Sequence, residues 1–162
     1  MIEINITSAE IAEAKKLTIE FDKQKLYNKF KCTTNYRGLL GEMVLHRWLT
    51  EQGIEHEWVE FTKQGWNQPD FIIEGYSIDL KTTTAEGLWY QQAKHDVYIS
   101  AQITWDDRKL TINGWSTREL LQQASYTEGA AKSIYKNRNN PTYVLSTKYL
   151  IPMELLKLTG GK

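Results

Sequence analysis

The sequence predicts a single-domain α/β fold, and three observations predict it. Two stretches before residue 54 carry apolar residues at helical spacing. From Ile54 to Thr83 the period changes to two, and further period-two segments follow Asp96. A chain of 162 residues, 41% hydrophobic and 25% charged, is long enough for one core and shows no internal repeat or low-complexity tract.

Met1 to Ile6 alternates weakly, as a short strand does. Thr7-Ser8-Ala9-Glu10 then has the spacing of a capping box, so a helix starts there and runs to about Tyr27, with Ile11, Ala14, Leu17 and Phe21 on its packed side. A second helix is expected from Asn35 to Gln52, closed by Gly53. Leu39, Leu40, Met43, Val44, Leu45, Trp48 and Leu49 surround most of it, which implies deep burial, and Gly38 and Gly41 let another backbone come close. Glu42 interrupts this apolar set.

Ile54 to Phe61 reads as a strand, Thr62 to Gln68 as a loop, and Asp70 to Ile73 and Tyr76 to Thr83 as a hairpin turned at Glu74-Gly75. Thr84 to Lys94 is open between helix and loop. Asp96 to Thr104 and Leu110 to Trp115 read as strands joined by Asp106-Asp107-Arg108-Lys109. Ser116-Thr117-Arg118-Glu119 opens a short helix to about Ala124, Thr142 to Thr147 is a strand, and Pro152 begins a last helical turn through Lys157.

Composition excludes several classes. Cys32 is the only cysteine, so no internal disulfide forms, and no segment approaches the roughly 18 apolar residues of a membrane span. With no basic region leading into an apolar stretch at Met1-Ile2-Glu3-Ile4-Asn5, the expectation is an intracellular, cytoplasmic protein. The formal net charge is zero. Between Gly129 and Met153, however, Lys132, Lys136, Arg138 and Lys148 stand without an acid, either a solvated loop or a phosphate-contacting surface. Tyr126 and Tyr135 border it and could stack on unpaired bases. His46, His56 and His95 show no zinc-type spacing.

The residues with the clearest chemical content are Asp79-Leu80-Lys81 and Pro69-Asp70. An acid-x-Lys triplet is weak by itself: 20 acids and 15 lysines in 162 positions give roughly two by chance, and the chain holds three. Glu13-Ala14-Lys15 falls on an amphipathic helix and Asp107-Arg108-Lys109 in a turn, both read as solvated surface. Asp79 and Lys81 instead fall on a strand, where residues i and i+2 share a face, and the hairpin brings Asp70 alongside. Strands disfavour such charges unless they are paired or bind a metal. Paired carboxylates suit a hard divalent cation such as Mg²⁺, with Lys81 placed to orient water or offset phosphate charge.

Glu42 in a buried helix, Pro69-Asp70 on one hairpin strand and Asp79-Leu80-Lys81 on the next resemble the PD-(D/E)XK, or restriction-endonuclease-like, nuclease superfamily. The resemblance covers about residues 35–103. It implies an αβββαβ core with a mixed central sheet flanked by helices, preceded by an N-terminal helical element (1–34) and followed by a C-terminal extension (104–162) with a basic loop at 129–148. It implies Asp70 and Asp79 as metal ligands, Lys81 as the catalytic lysine and Glu42 as an auxiliary acid and ligand. Gln92, or Gln91, stands where some members place a further polar residue. The implied activity is Mg²⁺-dependent (Mn²⁺ substituting) endonucleolytic hydrolysis of double-stranded DNA, site-specific in the manner of homing or restriction enzymes, by a homodimer or higher oligomer of bacterial or phage setting.

Other readings stay open. A Holliday-junction resolvase or other structure-specific nuclease would carry the same residues, and an inactive nuclease-like DNA-binding protein would keep the fold alone. Asp79 and Lys81 could also form an ion pair on a solvated sheet face, with Asp70 as a turn residue.

Overall fold

The computed structural model describes residues 1–25, 36–59, 68–126, 130–133 and 142–156. Strand β1 (Ile2–Asn5) leads into helix α1 (Ser8–Lys25), whose start is a capping box: Thr7 N–H donates to Glu10 Oε2 at 2.8 Å and Glu10 N–H to Thr7 Oγ1 at 3.2 Å. The expected end of this helix near Tyr27 lies outside the described residues. Helix α2 (Tyr36–Glu51) ends in a Schellman motif, with Ile54 N–H on Leu49 O and Gly53 N–H on Thr50 O.

The strands follow as β2 (Glu57–Trp58), β3 (Phe71–Ile73), β4 (Tyr76–Thr83), β5 (Leu88–Tyr90), β6 (Val97–Ile103) and β7 (Lys109–Thr117), then helix α3 (Arg118–Tyr126), β8 (Ala130–Ser133) and β9 (Thr142–Leu145). Two 3-10 turns, Thr147–Tyr149 and Met153–Leu155, complete the described chain, with Pro152 capping the second. Of the strand expected from Ile54, Glu57 and Trp58 pair; its expected end and most of the following loop lie outside the described residues. The helix after β7 is capped by Thr117, whose Oγ1 accepts from Leu120 N–H at 3.3 Å, one residue later than the sequence spacing suggests. Ser116 is a buried strand residue instead.

The main sheet has the order β1-β7-β6-β4-β3-β2 and is mixed, since β4 and β6 run parallel while the other neighbours are antiparallel. Ile78 and Leu80 of β4 and Val97, Ile99, Ala101 and Ile103 of β6 pack with Leu39, Leu40, Val44, Leu45 and Leu49 of α2 in the larger core. Alternation sends Tyr98 to the opposite face, into a smaller core with Leu88, Tyr90, Leu121, Leu145 and Leu150. A second sheet, β5-β9-β8, contributes to that face.

This second sheet corrects the αβββαβ expectation. The connection between parallel β4 and β6 contains strand β5 and no helix. Gly87 shows why: its φ is +102°, and a Cβ there would meet Val144 Cγ1 at 2.9 Å and Leu145 O at 3.1 Å, so the backbone leaves helical geometry to lie against β9. The 104–162 segment is thus partly built into one architecture with the core.

Two contacts seat α2. Asp107, left-handed at φ +58° in the β6–β7 turn, accepts from Arg37 Nε at 2.7 Å and from the Tyr36 hydroxyl. It is 6% exposed, so the expectation of a solvated Asp107-Arg108-Lys109 turn holds for Arg108 but not for the acid. Further along, an added Cβ on Gly41 would stand 2.1 Å from Thr82 Oγ1, so this glycine lets the helix close onto β4 beside Lys81; Gly38 has nothing within 4 Å. The close neighbour is a side chain rather than the backbone expected, and only one of the two glycines needs it. Gly41→Ala is expected to lower stability by about 1–3 kcal/mol in denaturant titration, whereas Gly38→Ala is expected to leave it unchanged or raise it by up to about 1 kcal/mol.

Candidate functional site

The site forms where the β3–β4 hairpin opens. The ladder pairs Ile73 with Tyr76, Ile72 with Ser77 and Phe71 with Ile78, and one further step in that register sets Asp70 opposite Asp79. Regular pairing stops at this step. Leu80 N–H donates to the Asp70 carboxylate, Oδ2, at 2.7 Å rather than to a main-chain carbonyl. The Asp70 backbone is held on both sides: its N–H donates to Ile78 O at 2.9 Å, and its carbonyl accepts from Val59 N–H at 3.0 Å. Pro69, which has no N–H to give, precedes the fork.

Asp79 and Lys81 lie on the face of β4 opposite Ile78 and Leu80, in register with Tyr98 and Ser100 of β6. Lys81 Nζ is 2.6 Å from Asp79 Oδ2. The ion pair that competed with the metal reading therefore forms, but on a buried acid: Asp79 is 8% exposed and Asp70 is 8% exposed, so neither sits on a solvated face. Glu42, 7% exposed, comes from α2 and accepts from the Trp58 indole N–H at 3.3 Å.

Electrostatics ties the three acids together. Burial pushes the Asp70 carboxyl up to about 9, and the negative charges of Glu42 and Asp79 push in the same direction, against the Leu80 amide and the Lys81 ammonium. For Lys81, desolvation works against the charged form but the Asp79 carboxylate outweighs it, holding the ammonium above its ordinary value. Among the described residues, Lys81 is the ammonium paired within this cluster, and the raised Asp70 carboxyl retains its proton at neutral pH. A hard cation can displace that proton.

Among the described residues no group of three or more His, Cys, Asp or Glu side chains is placed so as to hold a metal ion. The donor set fits Mg²⁺ in another way, because that ion is held by one or two carboxylates and keeps waters and substrate phosphate as its remaining ligands. Each of Asp70 and Asp79 spends Oδ2 on an internal donor, the Leu80 amide or the Lys81 ammonium. Their Oδ1 atoms are the candidate ligand positions.

The structure does not bring every expected residue to this place. Gln92 is an exposed loop residue, as is Gln91; the Gln92 carbonyl accepts from Tyr98 OH at 3.2 Å, a bond that orders the loop. Lys136, Arg138 and Tyr135 lie outside the described residues, as do the side chains of Lys132 and Tyr126. Lys148 is exposed, with Nζ 4.8 Å from the Tyr149 ring centroid. What sequence reasoning missed is Trp58 and the pair His46 and His56 beside it; His46 is one turn beyond Glu42 on α2, a spacing that could have flagged it.

The chain matches no protein-family model. A search of curated proteins likewise returns no match. The case for the site therefore stands on its residues. Among the described residues, no helix is long and apolar enough to cross a membrane.

The raised Asp70 carboxyl makes a signed prediction. Because its folded value lies above the unfolded one, the stability it contributes is full below about pH 4 and is lost as pH rises toward about 9. In chelator-treated protein, Asp70→Asn is expected to remove that loss, gaining on the order of 3 kcal/mol over the unsubstituted chain between about pH 4 and neutrality, in denaturant titrations across pH.

Proposed function

We propose that this protein is a Mg²⁺-dependent endonuclease that hydrolyses DNA phosphodiester bonds. The observation that carries the reading is Asp70: a buried carboxyl raised by Glu42 and Asp79, held by the Leu80 amide, with Lys81 as the nearby cation. A scaffold gains nothing from three clustered, buried acids, whereas a cation site gives them a use. The parallel pairing of β4 with β6 and the burial of Glu42 in α2 further support the restriction-endonuclease-like reading, although β5 replaces the second helix.

In this mechanism Asp70 and Asp79 would hold Mg²⁺, or Mn²⁺ in its place, and Glu42 would complete the site directly or through water. The chemistry such a cation would supply there is a lowered pKa of its water and compensation of the charge building on the phosphate. Lys81, kept protonated by Asp79, orients the attacking water or offsets negative charge on the phosphoryl oxygens. Asp70 holds the proton that a cation there would displace, so activity would rise as pH favours the ionised carboxyl. Asp79 has two tasks, as ligand and as the anchor of Lys81.

The proposed substrate is double-stranded DNA, cut at specific sites as homing or restriction enzymes do, by a homodimer or higher oligomer because severing both strands symmetrically needs two sites. Lys132, Lys136, Arg138 and Lys148 are the proposed phosphate contacts. The setting is cytoplasmic.

The test is incubation of purified protein with plasmid, four-way junction and random duplex DNA, with Mg²⁺ and with chelator. Metal-dependent cleavage is expected, and preference for the junction would assign a resolvase instead. Absence of cutting on all three would favour an inactive DNA-binding relative. Asp79→Ala and Lys81→Ala are each expected to reduce cleavage by about a hundredfold to a thousandfold while the circular dichroism spectrum stays folded. A fully active Lys81→Ala protein would overturn the mechanism.

A further inference from the structure

We infer that Trp58 is a positioning residue for Glu42, and that the edge strand carrying it couples Glu42 to Asp70. The inference rests on the metal-site reading above. Strand β2 is only Glu57 and Trp58, paired with Ile72 and Phe71. From this short segment two donors leave in different directions. The Trp58 indole N–H meets Glu42 Oε2 at 3.3 Å, and the next amide, Val59 N–H, meets the Asp70 carbonyl at 3.0 Å. Any shift of β2 therefore moves the partners of both acids together.

Trp58 is itself held in place. Its ring stacks on His46, centroids 4.8 Å apart and planes at 27°. His46 Nδ1 lies 2.7 Å from His56 Nε2, and His56 Nδ1 lies 2.7 Å from Ile54 O. The proton positions follow from the acceptor at the end: a carbonyl can only accept, so His56 carries its proton on Nδ1. The 2.7 Å contact between His56 Nε2 and His46 Nδ1 is then a hydrogen bond with a single proton between the two rings. His46 also belongs to α2, one turn after Glu42, so the chain closes on the helix that supplies the acid. The loop α2, His46, His56, β2, Trp58, Glu42 is a closed set of contacts.

This arrangement bears on how the helical acid Glu42 is aimed. An unaimed Glu in a helix swings toward water, at a cost in rotamer entropy to any ligand that must capture it. A donor fixed by stacking holds Oε2 and restricts the orientation of the carboxylate. Such outer partners of ligating groups are commonly worth ten- to hundredfold in metal affinity. A phenylalanine preserves the stack and removes only the donor.

Mn²⁺ binding is measured by calorimetry, without DNA, on the full chain, on Trp58→Phe, on Glu42→Gln and on the double variant. The expected result is a dissociation constant raised about tenfold or more by Trp58→Phe, with no further rise when it is added to Glu42→Gln. Binding unchanged by Trp58→Phe, or an equal loss in both backgrounds, would overturn the inference and leave the metal site intact. Absence of Mn²⁺ binding by the unsubstituted chain would sink both. Should Trp58→Phe not fold, the indole N–H resonance of Trp58 in the unsubstituted protein gives the same answer. It should move on Mg²⁺ addition and move far less in Glu42→Gln; an immobile resonance would overturn the inference.

Discussion

A carboxyl group buried between two others is the constraint on which the site depends. Asp70 is 8% exposed and lies within the fields of Glu42 and Asp79, so its charged form is opposed by burial and by like charge together. An acid in that position is tolerated because its backbone is tied on both sides, by Ile78 O and Val59 N–H, and its side chain takes the Leu80 amide. That last bond also satisfies a main-chain donor left over where the β3–β4 ladder ends. The fork in the hairpin and the acid at its mouth are thus one feature, since opening the strands without Asp70 would orphan a buried N–H.

The rest of the architecture can be read as the means of bringing partners to this point. Gly41 lets α2 approach Thr82, the residue after Lys81, and the Arg37 and Tyr36 contacts with Asp107 seat the start of the same helix. Glu42 follows directly from Gly41, so the close approach and the delivery of the acid share one turn. On the other face, Tyr98 stands in register with Asp79, and its hydroxyl orders the loop before β6 by accepting from the Lys94 and His95 amides. The small sheet packs there, supplying the cover that a crossover helix was expected to give.

Much of this was legible in the sequence, and for identifiable reasons. Period two from Ile54 and the Glu74-Gly75 turn predicted the hairpin, and i to i+2 geometry predicted that Asp79 and Lys81 share a face. The capping box at Thr7 and the stop at Gly53 marked helix ends because the backbone donors and acceptors there must be met locally. The second sheet was not legible, since β5 gains its identity from β9, some fifty residues later in sequence. Asp107 misled for a similar reason: a turn acid looks solvated until a distant Arg37 and Tyr36 are known to bury it. Trp58 was not legible as a site residue, because a tryptophan ring that packs gives no sign that its N–H reaches Glu42.

The central claim, that Asp70 holds a proton which a divalent cation replaces, is tested most directly by ¹³C NMR titration of the Asp70 side-chain carboxyl with and without Mg²⁺. Without the cation the account predicts a midpoint far above the usual carboxylate range, toward about 9. With Mg²⁺ at saturation it predicts collapse of that midpoint into or below the ordinary range. An ordinary midpoint in the metal-free protein, or a raised one indifferent to Mg²⁺, would contradict it.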